Sequence, residues 1–209
     1  MLKAKFMYEL LVLALLMHWP LHAYRIVKMA NNIIGPEERL STGTLSTLLA
    51  KLERSGLIYI ADTSSVPFPT DRSSHAFAIT LAGGERFFEL MMDTESHPGG
   101  YSRLFHIKTL HLEFLPSDKQ LFLVDRYINH CHQIMRSKRE DTKDVSKNPL
   151  KQEYMSAALR NAAFSLMQLK TEQWQLEVAW AESLREQILS NLKQHEDVVS
   201  TRGERTLDI

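Results

Sequence analysis

Histidine and cysteine are the first residues to test for chemistry, because both bind metals and a thiolate is also a nucleophile. The run His130-Cys131-His132 is suggestive, but residues two apart on a helix point to different sides, so its imidazoles could not share an ion. His18 and His22 are four residues apart with Pro20 between them, which breaks the helix that would align them. The sequence has no Gly-rich phosphate loop, HExxH motif or GxSxG motif. We therefore predict no metal site, no cofactor and no catalytic residue.

A second pattern brings hydroxyl groups and cations together between residues 41 and 54. One buried face is predicted by four leucines at helical spacing, Leu45, Leu48, Leu49 and Leu52. The opposite face carries Ser46, Thr47 and Lys51. Ser41 is a favourable N-cap, and Gly56 suits the left-handed position that follows a helix. Taken alone, this polar face is typical of any solvated amphipathic helix, so its meaning depends on the neighbouring elements.

Those elements give the helix a place in a fold. Hydrophobic spacing together with proline and glycine positions predicts helices over 5–17 and 21–31 before it, strands over 57–60 and 76–79 after it, and a further helix that begins after Thr80. Residues 62–74, which are rich in Pro, Ser and Thr, predict a long hairpin tip. This order is typical of a winged helix-turn-helix, whose third helix enters the major groove while the loop lies beside the DNA backbone.

The winged-helix interpretation assigns DNA contacts to three places along the chain. Lys51 and Arg72 would contact phosphates or the groove, and the hydroxyls of Ser46 and Thr47 would reach base edges with modest discrimination. The full set of expected contacts is Lys28, Ser41, Thr42, Thr44, Ser46, Thr47, Lys51, Arg72, Ser74 and His75. Charge gives this assignment little help, because residues 1–75 carry eight Lys/Arg and six Asp/Glu, a net +2 in a chain of zero net charge.

The second half of the chain changes character after the linker at 97–100. It predicts helices over about 103–114, from 117 to a charged break at 136–149, and over about 152–193. Apolar residues at alternating steps of three and four predict a coiled-coil-like seam, with a dimer interface at Leu121, Val124, Ile128, Cys131, Met135, Leu159, Leu166, Leu169, Trp180 and Leu184. A twofold dimer would hold two recognition helices about 34–36 Å apart, as a palindromic operator requires. We expect domains at 1–95 and 101–195, then a polar tail at 196–209.

The expected location is the cytoplasm. One cysteine cannot form an intramolecular disulfide, and nothing else in the sequence indicates an oxidising compartment. The apolar run 10–17 is far shorter than the roughly 20 residues that span a bilayer, and no signal-peptide cleavage pattern follows it. We interpret this run as a buried helix and expect no membrane association.

Several stretches resemble the PadR family of transcriptional regulators. They are Glu9-Leu10-Leu11-Val12-Leu13-Ala14-Leu15-Leu16, Pro20-Leu21-His22-Ala23-Tyr24-Arg25-Ile26, Ser41-Thr42-Gly43-Thr44-Leu45 with Ser55-Gly56-Leu57-Ile58, and Phe77-Ala78-Ile79-Thr80-Leu81-Ala82-Gly83. The latter half is similar to the longer, virulence-activator-type C-terminal region, through Phe105-His106-Ile107-Lys108 and Trp180-Ala181-Glu182. The resemblance implies a DNA-binding homodimer, usually a repressor, sometimes relieved by a small aromatic effector. It also implies no metal and no catalysis.

The expected fold is mostly α with a small β-hairpin wing, an N-terminal winged helix-turn-helix and a C-terminal long-helix dimerisation domain. An alternative function stays open, in which the winged helix binds protein partners instead of DNA. Two features favour it: the neutral overall charge, and Ser46 at the position where the family carries an aromatic residue that faces DNA.

Overall fold

The computed structural model describes residues 2–36, 39–62, 64, 66–67, 75–95 and 100–204, with side chains described outside 2–5, 141–146, 150–152 and 195–204. The chain forms two compact units, 1–115 and 116–209. The predicted mostly α fold with a small sheet is confirmed. No helix among the described residues is both long and apolar enough to cross a membrane.

The first unit follows the predicted order of elements. Its helices and strands are α1 (Leu2–His18), β1 (Leu21–His22), α2 (Ala23–Ile34), α3 (Thr42–Arg54), β2 (Ile58–Ala61), β3 (Ala76–Ile79), α4 (Leu81–Met92), α5 (Tyr101–Thr109) and a short 3-10 helix (Leu112–Phe114). The apolar run at 10–17 belongs to α1, where residues 10–16 are buried as expected. Glu9 precedes this run and is itself buried, and it accepts a 2.8 Å hydrogen bond from Arg86 Nε of α4. Glu9, the buried carboxylate next to the apolar run, is therefore paired.

The sheet has three strands rather than the two of a simple hairpin. β3 lies in the centre, antiparallel to β1 on one side and to β2 on the other. In β1, Leu21 lies opposite Phe77 of β3. The prediction that the second helix begins at residue 21 is therefore wrong. A two-residue strand has no periodicity to detect, so only its pairing with β3 identifies it.

One junction joins the C-terminal end of α3 to the sheet and to α4. Thr80 Oγ1 donates a 2.6 Å hydrogen bond to the carbonyl of Gly56 and accepts a 3.0 Å bond from Gly83 N, while Thr80 N donates to the carbonyl of Leu57 at 3.0 Å. Thr80 is therefore the N-cap of α4, as predicted, and also a tertiary link. Gly83 packs so tightly here that a Cβ on it would lie 2.0 Å from the Leu57 carbonyl oxygen.

The second unit consists of α6 (Ser117–Lys147), α7 (Pro149–Tyr154) and α8 (Ala157–Glu204). The break expected from residue 136 onward is wrong, because α6 continues to Lys147. Charged residues are good helix formers, and neither Gly nor Pro interrupts the chain before Pro149. α6 and α8 pack together. Tyr127 OH donates to Glu177 Oε2 at 2.8 Å, and Arg185 Nε donates to Asp125 Oδ1 at 2.7 Å.

Two residues of the expected dimer seam need a correction. Val124 and Cys131 are completely buried within the single chain, so they are core residues and offer no surface to a second copy. On α8, Val178, Ala181 and Ile188 are buried in the same way. The heptad spacing of α6 thus placed Val124 and Cys131 on a packed face but did not identify the partner of that face as α8.

We predict opposite outcomes for the adjacent glycines of α4. Gly83→Ala should lower the free energy of unfolding by about 1–3 kcal/mol, because the new methyl group overlaps backbone that cannot yield without moving β2. Gly84→Ala should raise it by roughly 0.5–1 kcal/mol, because its Cβ would meet only Met17 Sδ at 3.9 Å and alanine favours helix. Urea unfolding followed by circular dichroism measures both. Equal stability of the two variants would contradict the close approach at Gly83.

Candidate nucleic-acid interface

α3 has one apolar and one polar face, as its sequence predicts. Leu45, Leu48, Leu49 and Leu52 are buried. Ser41 Oγ accepts a 3.1 Å hydrogen bond from Thr44 N and so caps the first turn as expected. Gly56 follows the helix at φ +70°, in the left-handed conformation that glycine tolerates best. The apolar face fixes α3 against the unit, which leaves the other face to solvent.

The expected DNA-contacting residues that the structure describes are all exposed. They are Lys28, Ser41, Thr42, Thr44, Ser46, Thr47, Lys51 and His75. Arg72 and Ser74, expected in the wing, lie outside the described residues. His75 immediately precedes β3. α3 and the start of β3 therefore carry most of the described candidate contacts, with Lys28 on α2.

Local hydrogen bonds divide the hydroxyls of α3 into two groups. Ser41 Oγ and Thr44 Oγ1 lie 2.9 Å apart and are hydrogen-bonded to each other, with either hydroxyl able to donate, and Thr47 Oγ1 donates to the carbonyl of Gly43 at 3.0 Å. Thr47 thus offers an outside partner only acceptor capacity. Thr42 and Ser46, with the Lys51 ammonium, make no hydrogen bond or ion pair within the described part of the chain. These three side chains are the ones ready to bond to an external partner.

The turn between α2 and α3 is held by side chains from two elements. Asn31 Oδ1 accepts a 2.7 Å hydrogen bond from Leu40 N, and Asn31 Nδ2 donates to the Leu40 carbonyl at 3.1 Å. Arg103 of α5 donates to the carbonyl of Ile34 at 3.1 Å, in the last turn of α2. The second helix, expected over 21–31, continues to Ile34 and is capped by Gly35, and Asn31 serves to fix the chain just before α3.

Sequence reasoning missed Asn31, Arg39 and Arg103 as parts of this region. Asn31 resembles a helix terminator in the sequence, and its pairing with Leu40 depends on the tertiary turn. Arg39 is an exposed cation two residues before the N-cap of α3. Its position was the available signal, since residues next to a recognition helix are often near phosphates. Arg103 acts over 69 residues of sequence, which no local pattern reveals.

The His130–His132 run has a packing role in the second unit. Cys131 is buried, and burial raises the pKa of its thiol to about 11, so it is protonated at neutral pH. Burial also lowers the pKa of His130, whose ring contacts Trp174 edge-on at 6.1 Å between centroids. Among the described residues, no three His, Cys, Asp or Glu side chains are arranged to hold a metal ion. The geometry of this run fits side-chain packing.

Comparison with known proteins returned structures but no sequence family. No family model and no curated protein matches the chain. Bacillus subtilis PadR bound to operator DNA is 16% identical over 86% of this chain and 98% of that chain, with a TM-score of 0.38. The same protein with p-coumaric acid is 16% identical over 88% and 96%, with a TM-score of 0.37. A PadR-like regulator from Bacillus cereus is 14% identical over 88% and 99%, with a TM-score of 0.33.

All three solved structures are PadR-type regulators, the family that the sequence resembles. Their TM-scores lie below 0.5. The fold and the candidate interface of this chain therefore rest on the elements, exposures and hydrogen bonds described above.

We predict that Asn31→Ala lowers the free energy of unfolding by about 1–3 kcal/mol, because the buried Leu40 loses both backbone partners. Asn32→Ala is the matched control. Asn32 is exposed and makes no hydrogen bond within the described residues, so its replacement should change stability by less than about 0.5 kcal/mol. Thermal and urea unfolding of the two variants give the comparison, and an Asn31→Ala protein as stable as wild type would contradict the bridge.

Proposed function

We propose that this protein is a dimeric, sequence-specific DNA-binding transcriptional regulator that acts as a repressor. One observation carries the proposal: Thr42, Ser46 and Lys51 lie exposed on α3, with side chains that bond to none of the described residues, and α3 is the helix that a winged helix-turn-helix inserts into the major groove. Such a protein needs no catalytic step and no resident cofactor. Its expected location is the cytoplasm.

The three side chains suit different parts of a duplex. Lys51, in the last turn of α3, would neutralise a backbone phosphate and so contribute a salt-dependent part of the affinity. Thr42 and Ser46 lie one turn apart on the N-terminal half of the helix, the part that contacts base edges in this class. Because a hydroxyl can donate or accept, these contacts discriminate between bases only modestly. Specificity would then also depend on the shape of the operator.

Dimerisation would use an exposed apolar stripe on α8. The α8 stripe consists of Leu159, Leu166, Leu169, Leu176 and Trp180, which are between 39% and 73% exposed. With Ala162 and Gln173 the spacing alternates three and four over 21 residues, or about 32 Å of helix. An apolar surface of this length and regularity is the pattern of a coiled-coil seam. A second copy of α8, related by a twofold axis, offers the same pattern.

The α8 stripe revises the proposed interface. The interface retains Leu159, Leu166, Leu169 and Trp180 from the sequence prediction and adds Leu176. The other predicted residues, Leu121, Ile128, Met135 and Leu184, are half-buried in the single chain.

A small aromatic effector, which the family resemblance implies, stays a prediction.

A second candidate function is supported by strand β2. Tyr59 and Ile60 are 52% and 49% exposed on this edge strand, and an exposed apolar edge can pair with a strand from another protein. A winged helix that binds protein through β2 would not need the unbonded side chains of α3. A wild-type chain that binds no duplex even at 0.05 M salt would favour this second function over the first.

We predict that Lys51→Glu weakens binding to the chain's own upstream DNA by at least about 10-fold at 0.1 M salt, since one phosphate contact is lost and a negative charge is added. Lys193→Glu is the control, because it makes the same charge change at an exposed position of α8. Fluorescence anisotropy with a labelled duplex measures both variants. Unchanged affinity in Lys51→Glu would contradict the assignment of α3 as the recognition helix.

We predict that Leu176→Asp converts the dimer to a monomer, because a carboxylate buried in an apolar seam without a partner is costly. Gln175→Asp places the same charge at the adjacent exposed residue, on a different side of α8, and should leave the dimer intact. Sedimentation velocity gives the mass, and helicity by circular dichroism verifies folding. A Leu176→Asp protein that sediments as a dimer would overturn the α8 stripe as the interface.

A further inference from the structure

A cleft beside α3 is lined by two exposed cations. This α2 cleft has a volume of about 480 Å³ and is lined by Lys28, Asn31, Asn32, Gly35, Pro36 and Arg39. Lys28 and Arg39 are exposed, and neither makes a hydrogen bond or ion pair to any residue in the described ranges. The described lining therefore presents two uncompensated positive charges together with amide groups.

We propose that the α2 cleft binds one phosphodiester group of the DNA backbone between Lys28 and Arg39, an assignment that rests on the proposed function. Both side chains carry the charge that a phosphate requires, and the Arg39 guanidinium can donate two parallel hydrogen bonds to its oxygens. Asn32, also exposed and without an internal partner, adds an amide donor to the lining. This combination fits an anionic oxygen group better than an apolar ligand.

The position of the cleft fits a contact to the strand that flanks the major groove. Arg39 is two residues before Ser41, the N-cap of α3, so its Cα lies within about 7.6 Å of that residue along the chain. In helix-turn-helix proteins the recognition helix reads the groove while the preceding helix crosses the backbone. A phosphate bound at the C-terminal end of α2 would thus set the depth and register of α3.

The walls of the cleft are fixed before any ligand arrives. Asn31 bridges to the backbone of Leu40, and Gly35 ends α2 at φ +87° with its N–H donating to the Asn31 carbonyl at 3.0 Å. The C-terminal end of a helix carries partial negative charge, which would repel an anion. Arg103 offsets that charge by donating to the Ile34 carbonyl. Among the described lining residues, the anion would therefore meet the two exposed cations, Lys28 and Arg39, beside a helix end held by hydrogen bonds.

The test compares Lys28→Gln/Arg39→Gln with wild type across 0.05–0.3 M salt, on the upstream duplex and on a random duplex of equal length. Loss of one phosphate contact should make the plot of log affinity against log salt concentration less steep by about 0.9. This corresponds to an affinity about 8-fold weaker at 0.1 M salt, and the loss should be equal on both duplexes. Lys147→Gln/Lys193→Gln is the control, because it removes two charges from exposed positions of α6 and α8, and it should leave the slope unaltered. Because the side chains of Lys28 and Arg39 make no bonds to the described residues, thermal unfolding should be unchanged.

The outcomes separate this inference from the proposed function. If wild type binds both duplexes and the double variant keeps the wild-type slope, the cleft assignment fails while DNA binding stands. Loss confined to the upstream duplex would also overturn it, because a phosphate contact is independent of sequence. If wild type binds no duplex, both fail. A separate titration with orthophosphate is made at constant ionic strength. If wild type binds orthophosphate in the low-millimolar range, the double variant does not, and the salt dependence of DNA binding is the same for both, the cleft is reassigned to a small phosphorylated ligand.

Discussion

The hydrogen bonds of Thr80 are the constraint on which the first unit depends. Its side-chain hydroxyl donates to the carbonyl of Gly56 and its backbone N–H to the carbonyl of Leu57, at the point where α3 ends and β2 begins. Gly83, one turn later in α4, approaches the Leu57 carbonyl so closely that no side chain fits. α3, β2 and α4 thus meet at a site with little freedom. Because interiors are densely packed, a shift at this point would displace α3 relative to the sheet.

The opposite end of α3 is fixed by different chemistry. Ser41 accepts a hydrogen bond from the first turn, and Asn31 offers both an acceptor and a donor to the backbone of Leu40. The polar face between these two ends makes almost no tertiary interaction with the described residues. This division has a physical consequence: side chains such as Ser46 and Lys51 can change without loss of stability, so the chemistry of this face can vary while the position of the helix is retained.

The sequence was sufficient wherever short-range signals agree. In α3 the leucine spacing, the Ser41 cap and Gly56 all indicate the same helix, and its buried and exposed faces followed correctly. It was insufficient where a tertiary partner decides. β1 is defined by its pairing with β3, the Asn31 side chain lies within α2 and bonds to Leu40 nine residues away, and the link from Arg103 to Ile34 spans 69 residues. Each of these is a distant contact that local propensity does not encode.

The long helices also show that sequence spacing alone does not identify the packing partner of an apolar face. α8 carries two apolar patterns with alternating three- and four-residue steps, one through Val178, Ala181 and Ile188 and the other through Leu166, Leu169 and Leu176. At 3.6 residues per turn the two are separated by roughly 110° around the helix axis. Heptad spacing detects both and cannot say which one faces α6, because the two stripes are equally periodic. Burial separates them. Packing against α6 accounts for the first stripe and leaves the second exposed, so folding of the hairpin and the proposed association of two chains would depend on different residues of one helix.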